Sequence, residues 1–405
     1  MAYGISYLRS KCAKKRHRVD LRYEYYEMKH IAPDLHISTP KEIYWLQQKL
    51  GWCAKAVDAL ADRLQFREFR YDNFDLTTIY QLNNSDILMD SAIRSALIAS
   101  CCFIYVSADA DGFPRLQVID GANATGIIDP ITGMLSEGYA VLDRDEYGKP
   151  TTEAYFVPGR TDIYKANVFS YSVAVSSNYC ALVPVIHRPD AKRPFGHSRI
   201  SRTCMDLQDS AVRTIKRSEI SAEFYSYPQK YVTGLSDAAE IDTWKATISS
   251  MMMFTKDEDG DKPSVGQFSQ QSMAPHTEQL RMFASMFGGE TGLTLDDLGF
   301  ASGNPSSAEA IKAAHENLRM AARKAQANFA TGFINAGIVA ASIRDAFPYW
   351  RKAFYRTKVI WEPLFEPDAT QLSAIGDGAI KINQAIPDYM GQNNLYDLTG
   401  IDPEA

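Results

Sequence analysis

An α+β fold is predicted by three observations. Long stretches repeat apolar residues at helical spacing, while the stretch from about 101 to 175 breaks into short apolar runs separated by turn residues. Further on, a glycine-bearing loop feeds the strongest helix signal in the chain. Strands clustered between helical stretches give a meander packed on helices, so the first 185 residues read as one α+β domain.

The chain has 405 residues, room for two or more domains and a sizeable core. Hydrophobic residues make up 45% and charged residues 23%, a globular composition. The formal net charge is −6, which argues against tight duplex-DNA binding but not against DNA passing by. The six cysteines are scattered with no CxxC; Cys101 and Cys102 sit in an apolar run and read as buried thiols, consistent with a reducing, cytoplasmic place of synthesis. The N-terminus is basic without an apolar stretch after it, unlike a signal peptide, and no run is long enough to span a membrane.

Residues 1–40 carry basic and aromatic side chains and read as an amphipathic surface helix, with nucleic-acid contact as the other reading. A helix is predicted over 41–66, with Ile43, Leu46, Leu50, Ala54, Val57, Ala61 and Leu64 on one side. Another runs from Leu76 to Ile98, interrupted at Asn83-Asn84-Ser85. Strands at 102–106 and 115–119 flank Asp109-Ala110-Asp111-Gly112, a hairpin signal. The Ser107-x-Asp109-x-Asp111-Gly112 spacing hints at a calcium loop, but its twelfth position is Val118 rather than Glu. Further strands are predicted at 126–128, 139–142, 152–156, 163–164 and 170–175.

His187 and His197 have no ligand partners at metal spacing and read as surface or capping residues. A helix follows over about Ser198–Tyr225. Between Tyr227 and Ser272 the pattern gives a strand at Lys230–Thr233, a short helix at Asp237–Ser250, a strand at Met251–Thr255 and an acidic hairpin tip. A short amphipathic helix spans Met273–Met286. Then comes the loop with Gly288, Gly289, Gly292, Gly299 and Gly303, and the long helix opened by Ser306 with Glu309 as a capping box. Ile311, Leu318, Ala322, Ala325, Phe329 and Phe333 belong to its apolar stripe, which by its pattern alone reads as that of a core helix. Lys358–Trp361 reads as a strand returning to the first domain's sheet, Thr370–Ala385 as the last helix and 386–405 as a polar tail.

The run Asn304-Pro305-Ser306-Ser307-Ala308-Glu309-Ala310, entering an Ala-rich helix with Glu316 and Leu318, resembles the tunnel loop and tunnel helix of tailed-bacteriophage portal proteins, of the siphophage type. An early Tyr-Tyr pair and the helix-opening Gly196-His197-Ser198 fit the same family. The resemblance implies a portal-like fold: wing 1–196, first stem helix 197–226, clip 227–272, second stem helix 273–289, tunnel loop 290–306, tunnel helix 307–347, wing return 348–385 and a short crown or tail at 386–405. It further implies a homo-oligomeric ring, typically of twelve subunits, at one capsid vertex of a virion made in a bacterial cytoplasm. Double-stranded DNA would pass through the channel. The terminase large subunit, a head–tail adaptor and the major capsid protein or scaffold would be its partners.

In that frame the channel-facing set is Leu293, Asp296, Asp297, Gly299, Phe300, Gly303, Asn304, Lys312, Arg319 and Arg323, with Glu316 as an alternative partner for the cations. The clip contact set is Asp257, Glu258, Asp259 and Asp261.

Motifs for chemistry are missing from the sequence: there is no Walker A loop, no H-E-x-x-H, no G-x-S-x-G, and Gly376-Asp377-Gly378 is too short for a dinucleotide fingerprint. No catalytic residue, metal site or cofactor is expected. The rival readings are another ring-forming head–tail component and a metal-dependent nucleic-acid enzyme using Asp296-Asp297 or the 257–261 carboxylates.

Overall fold

The computed structural model describes residues 3–34, 45–226, 230–233, 264–267, 272–300, 308–364, 367 and 369–401. The fold is α+β. Helix α1 (Gly4–Tyr26) leads to α2 (Trp52–Ala61), strand β1 (Phe66–Arg70), α3 (Leu76–Gln81) and α4 (Ser85–Ala99). Eight strands follow: β2 (Cys101–Ala108), β3 (Pro114–Ile119), β4 (Ala124–Ile128), β5 (Leu135–Arg144), β6 (Pro150–Val157), β7 (Arg160–Lys165), β8 (Val168–Ala174) and β9 (Leu182–Ile186).

Strands β4 to β8 form an antiparallel meander in sequence order, and β3-β2-β9 form a three-stranded sheet beside it. The two share an apolar core that includes Phe103, Ala140, Phe156, Ile163 and Leu182. Strand β8 is the free edge of the meander and leaves Val168, Phe169, Tyr171 and Val173 exposed.

Helix α1 lies on the meander and buries Leu8, Cys12, Val19 and Tyr25. Its basic residues serve that packing. Arg9 pairs with Glu153, and Lys11 donates to the Gly126 carbonyl and Lys15 to that of Ala124. A second carboxylate, Glu137, receives the Tyr3 and Gly4 amides at 2.7 and 2.9 Å, complementing the positive end of the helix. Burial pushes the Glu137 carboxyl up, but those amides and the Tyr155 hydroxyl outweigh it and hold it below its ordinary value.

The helix expected over 41–66 is shorter, Trp52–Ala61. Residues 46–50 are not helical, and Gln48 instead reaches Glu219 on the next long helix. The interruption expected at 83–85 is present: Asn84 takes a left-handed conformation (φ 54°) between α3 and α4. The Asp109 carboxylate closes the β2–β3 hairpin by accepting the Asp111 and Phe113 amides and pairing with Arg115, so it serves the turn.

Helix α5 (Arg202–Ser226) starts later than the Ser198 opening expected; the Ser201 hydroxyl accepts the Cys204 amide and acts as the cap. It packs along α6 (Ala274–Thr291), with Thr214 Oγ1 within 3.2 Å of Gln279 Oε1. Between them, β10 (Lys230–Thr233) pairs antiparallel with β11 (Ser264–Gln267). The second strand was anticipated at Met251–Thr255; that stretch, the 237–250 helix and the acidic tip lie outside the described residues.

The long helix anticipated over 307–347 is divided into α7 (Ala308–Ala314) and α8 (Glu316–Arg344). Helix α8 is the centre of the main core. Phe329 and Phe333 are fully buried, and the Tyr80 hydroxyl donates to the Phe333 carbonyl at 2.6 Å.

Strand β12 (Lys358–Trp361) does not rejoin either large sheet. It pairs with β1 in a two-stranded sheet of its own. A β-bulge at Arg67 swings that side chain round, so Arg67 and Arg70 both face Asp397. Asp397 belongs to α10 (Gln392–Thr399), which follows α9 (Ala369–Ala385). The stretch expected to be a polar tail therefore contains a helix that folds back on β1.

Candidate functional site

The segment singled out from the sequence begins where α6 ends. Gly292 caps that helix in the left-handed region (φ 74°), and a Cβ there would sit 3.3 Å from Asn317 and from the Leu318 amide. Burial of Thr291 beneath Arg199 holds the same point from the other side, since the guanidinium donates to the Thr291 and Ala56 carbonyls. Burial lowers the Arg199 pKa to about 10, leaving it charged at neutral pH.

Beyond Gly292 the chain forms a compact turn. Leu293 and Leu298 are buried in the main core, and Leu295 and Phe300 pack against it. The Thr294 amide and hydroxyl both donate to Asp297 Oδ2 at 2.9 Å, and the Asp297 amide returns a bond to Thr294 Oγ1 at 3.1 Å. Gly299 closes the turn at φ 90°, where a side chain would be strained, and the Phe300 amide reaches the Leu295 carbonyl.

Asp297 also bridges to the next helices. His315 Nε2 lies 3.1 Å from its Oδ2, and His315 Nδ1 lies 2.8 Å from the Ile311 carbonyl oxygen. Both ring nitrogens thus face oxygen acceptors. Burial pushes the Asp297 carboxyl up; the Thr294 donors and the His315 ring outweigh it and hold the carboxyl below its ordinary value. The Ile311 carbonyl accepts the His315 amide as well as its ring, and this shared acceptor loosens the helical ladder at the break between α7 and α8.

Of the residues expected to face a channel, Asp296 and Gly299 are exposed, Asp297 is half-buried in the turn and Phe300 leans on the core. Leu293 is a correction: its side chain is core, because the turn needs an apolar anchor. Gly303, Asn304 and the Ser306 cap lie outside the described residues. Arg319 is engaged by Glu316, with Nη2 and Oε1 2.6 Å apart, while Lys312 is half-buried and Arg323 exposed. The pairing holds the Glu316 carboxyl below its usual range. The clip set, Asp257, Glu258, Asp259 and Asp261, also lies outside the described residues.

His187 is buried and its Nδ1 donates to the His197 carbonyl at 2.7 Å; His197 pairs with Asp190. Burial lowers the His187 pKa to about 3. All six cysteines are buried and free. Among the described residues no cluster of three or more His, Cys, Asp or Glu could hold a metal, and no helix is long and apolar enough to cross a membrane. The Asp297–His315 bridge was not read from the sequence. Its signal, a Thr-x-x-Asp turn followed by a histidine inside a helix, carries no spacing rule that links the two.

Residues 5–365 match the family described as phage portal protein, SPP1 Gp6-like. The portal proteins of Mycobacterium phage L5 and Mycobacterium phage D29 are each 24% identical to this chain over 318 residues, which is 73% of this chain. The chain spans 65% of the length of each of these curated relatives. Among solved structures, a chain from the virion of a native gene transfer agent particle is similar with a TM-score of 0.46 at 12% identity, covering 87% of this chain and 90% of that one.

Proposed function

The chain belongs to the SPP1 Gp6-like family of phage portal proteins, and from that membership we propose that it closes a homo-oligomeric ring, of about twelve subunits, by a head-to-tail interface. The ring sits at one capsid vertex of the virion. Its axial channel passes double-stranded DNA during packaging and ejection. Residues 1–196 and 348–385 form the wing, α5 and α6 the stem, 227–272 the clip, and α7, α8 and the loop before them the tunnel.

The family match over residues 5–365 carries this reading. It is supported by the way a well-anchored turn delivers the chain to the 299–307 stretch. Leu293 and Leu298 hold the turn in the core and leave Asp296 and Gly299 exposed; these two, with Gly303 and Asn304, are the residues assigned here to the DNA-facing loop. Pairing of Arg319 with Glu316 reduces the number of cations that can grip phosphates, which suits a duplex that must slide. The protein acts by geometry rather than catalysis; ATP hydrolysis belongs to the terminase large subunit, which docks on the clip through Asp257, Glu258, Asp259 and Asp261. The head–tail adaptor takes that surface later, and the wing meets the major capsid protein or scaffold.

Native mass spectrometry and negative-stain imaging of one purified sample test the proposal. Closed rings with a central hole are expected. A compact dimer at every salt and protein concentration would overturn it.

A further inference from the structure

A cleft of about 470 Å³ opens between the β4–β5 turn, the segment after β9 and the outer side of α8. The volume lies within the range of small-ligand sites. Four prolines, Pro130, Pro184, Pro189 and Pro194, supply rigid apolar walls. Asn335 lines the cleft from α8. It is 1% exposed, and its Oδ1 finds no hydrogen-bond partner among the described residues. A buried amide oxygen without a donor is unfavourable, roughly 1–3 kcal/mol, so a donor from outside has something to gain there.

The charges on the cleft have one sign. Asp129 and Asp190 line it, and among the described residues no Lys or Arg does. Asp129 accepts the Ile131 and Thr132 amides and the Thr132 hydroxyl; Asp190 accepts the Lys192 and Arg193 amides and pairs with His197. These bonds hold both carboxyls below their ordinary range, so both are anionic at neutral pH. Arg188, Lys192 and Arg193 belong to the same segment but do not line the cleft.

Apolar walls, a carboxylate at two edges and an unmatched acceptor at the floor fit one kind of occupant. We propose that the cleft is a docking site for an arginine or lysine side chain carried by an extended peptide of a partner protein. The aliphatic stem lies against the prolines. The cationic head faces Asp129 and Asp190, and one of its N–H groups supplies the donor that Asn335 lacks.

The test is fluorescence anisotropy on the full chain with a fluorescein-labelled pentapeptide, Gly-Leu-Arg-Leu-Gly amide, and its counterpart with Glu in place of Arg. Saturable binding of the Arg peptide is expected, at least about tenfold tighter than the Glu peptide. Thr331→Trp, at an exposed position on the α8 side of the cleft, should abolish it. Asn335→Leu should weaken it by about tenfold while leaving the melting temperature close to wild type, since the Oδ1 it removes is already unpaired. If Asn335→Leu does not fold, Thr331→Trp decides the matter. No saturable binding of the Arg peptide, equal binding of both peptides, or undiminished binding to Thr331→Trp would overturn the proposal.

Discussion

The His315 ring lies 3.1 Å from the Asp297 carboxylate, joining two residues 18 positions apart across the stretch expected to form the tunnel loop. This contact ties the turn after α6 to the junction of α7 and α8. Both side chains are largely shielded from solvent, so the contact is more than a surface one. A double-mutant cycle of Asp297→Asn and His315→Gln should give a coupling of about 0.5–2 kcal/mol in denaturant unfolding. Additive single effects would show that the contact holds nothing. Because the Asp297 carboxyl is held below its ordinary value, its contribution is present above the carboxylate range and fades as pH falls through the folded pKa.

Gly292 should not tolerate a side chain. Its φ of 74° disfavours any Cβ, and the new carbon would press on Asn317 and the Leu318 amide. Gly292→Ala is expected to lose about 1–2 kcal/mol of stability. Thermal melts of the variant beside Gly289→Ala, where the surroundings are open, separate the backbone effect from a general helix effect.

Stability should fall on mild acidification through His187. Its ordinary value of 6.5 drops to about 3 in the fold, so between those values the unfolded chain binds a proton that the folded chain refuses. Stability should therefore decline as pH falls through that window, by up to about 1.4 kcal/mol per pH unit from this one group. In His187→Gln the decline between pH 6.5 and pH 4 should be shallower by that amount. Parallel pH profiles of wild type and variant would refute the assignment.

Deleting Gly299–Gly303 should leave ring assembly intact and impair DNA packaging. The apolar anchors Leu293 and Leu298 lie before the deletion and stay in the chain. Phage packaging assays with the deletion, alongside particle imaging, check both halves. Normal packaging would remove the case for the loop as a channel element.

Periodicity found most of the elements. The interruption before Ser85, the Asp109 hairpin and the meander of β4–β8 are all local signals, set by residues within a few positions of one another. What escaped depends on distant partners. β1 and β9 were missed because Phe66–Arg70 is rich in charge and Leu182–Ile186 contains a proline, and each is a strand only because another strand lies beside it. The length of α2 was overestimated because the apolar spacing continues through residues 46–50, where a contact with Glu219 on α5 replaces helix. The break at His315 was invisible because histidine is an ordinary helix residue until its ring finds the Ile311 carbonyl. At the candidate site, the exposed character of Asp296 and Gly299 and the Arg319–Glu316 pairing were both legible; the core role of Leu293 was not, since a leucine in a glycine-bearing loop gives no sign of which way it faces.

The bulged β1 strand and its Asp397 partner also bear on the order in which the molecule can mature. Arg70 meets Asp397 across 327 positions, and Tyr80 meets the Phe333 carbonyl across 253. Contacts of such separation close late, because the entropy of large loops must be overcome first. On the ribosome, β1 emerges long before β12 or α10 and has no partner for most of synthesis. Until β12 arrives its edge of β1 stays open, and until α10 folds back Arg67 has no Asp397 to face. A nascent chain thereby keeps this two-stranded sheet for a late step of folding.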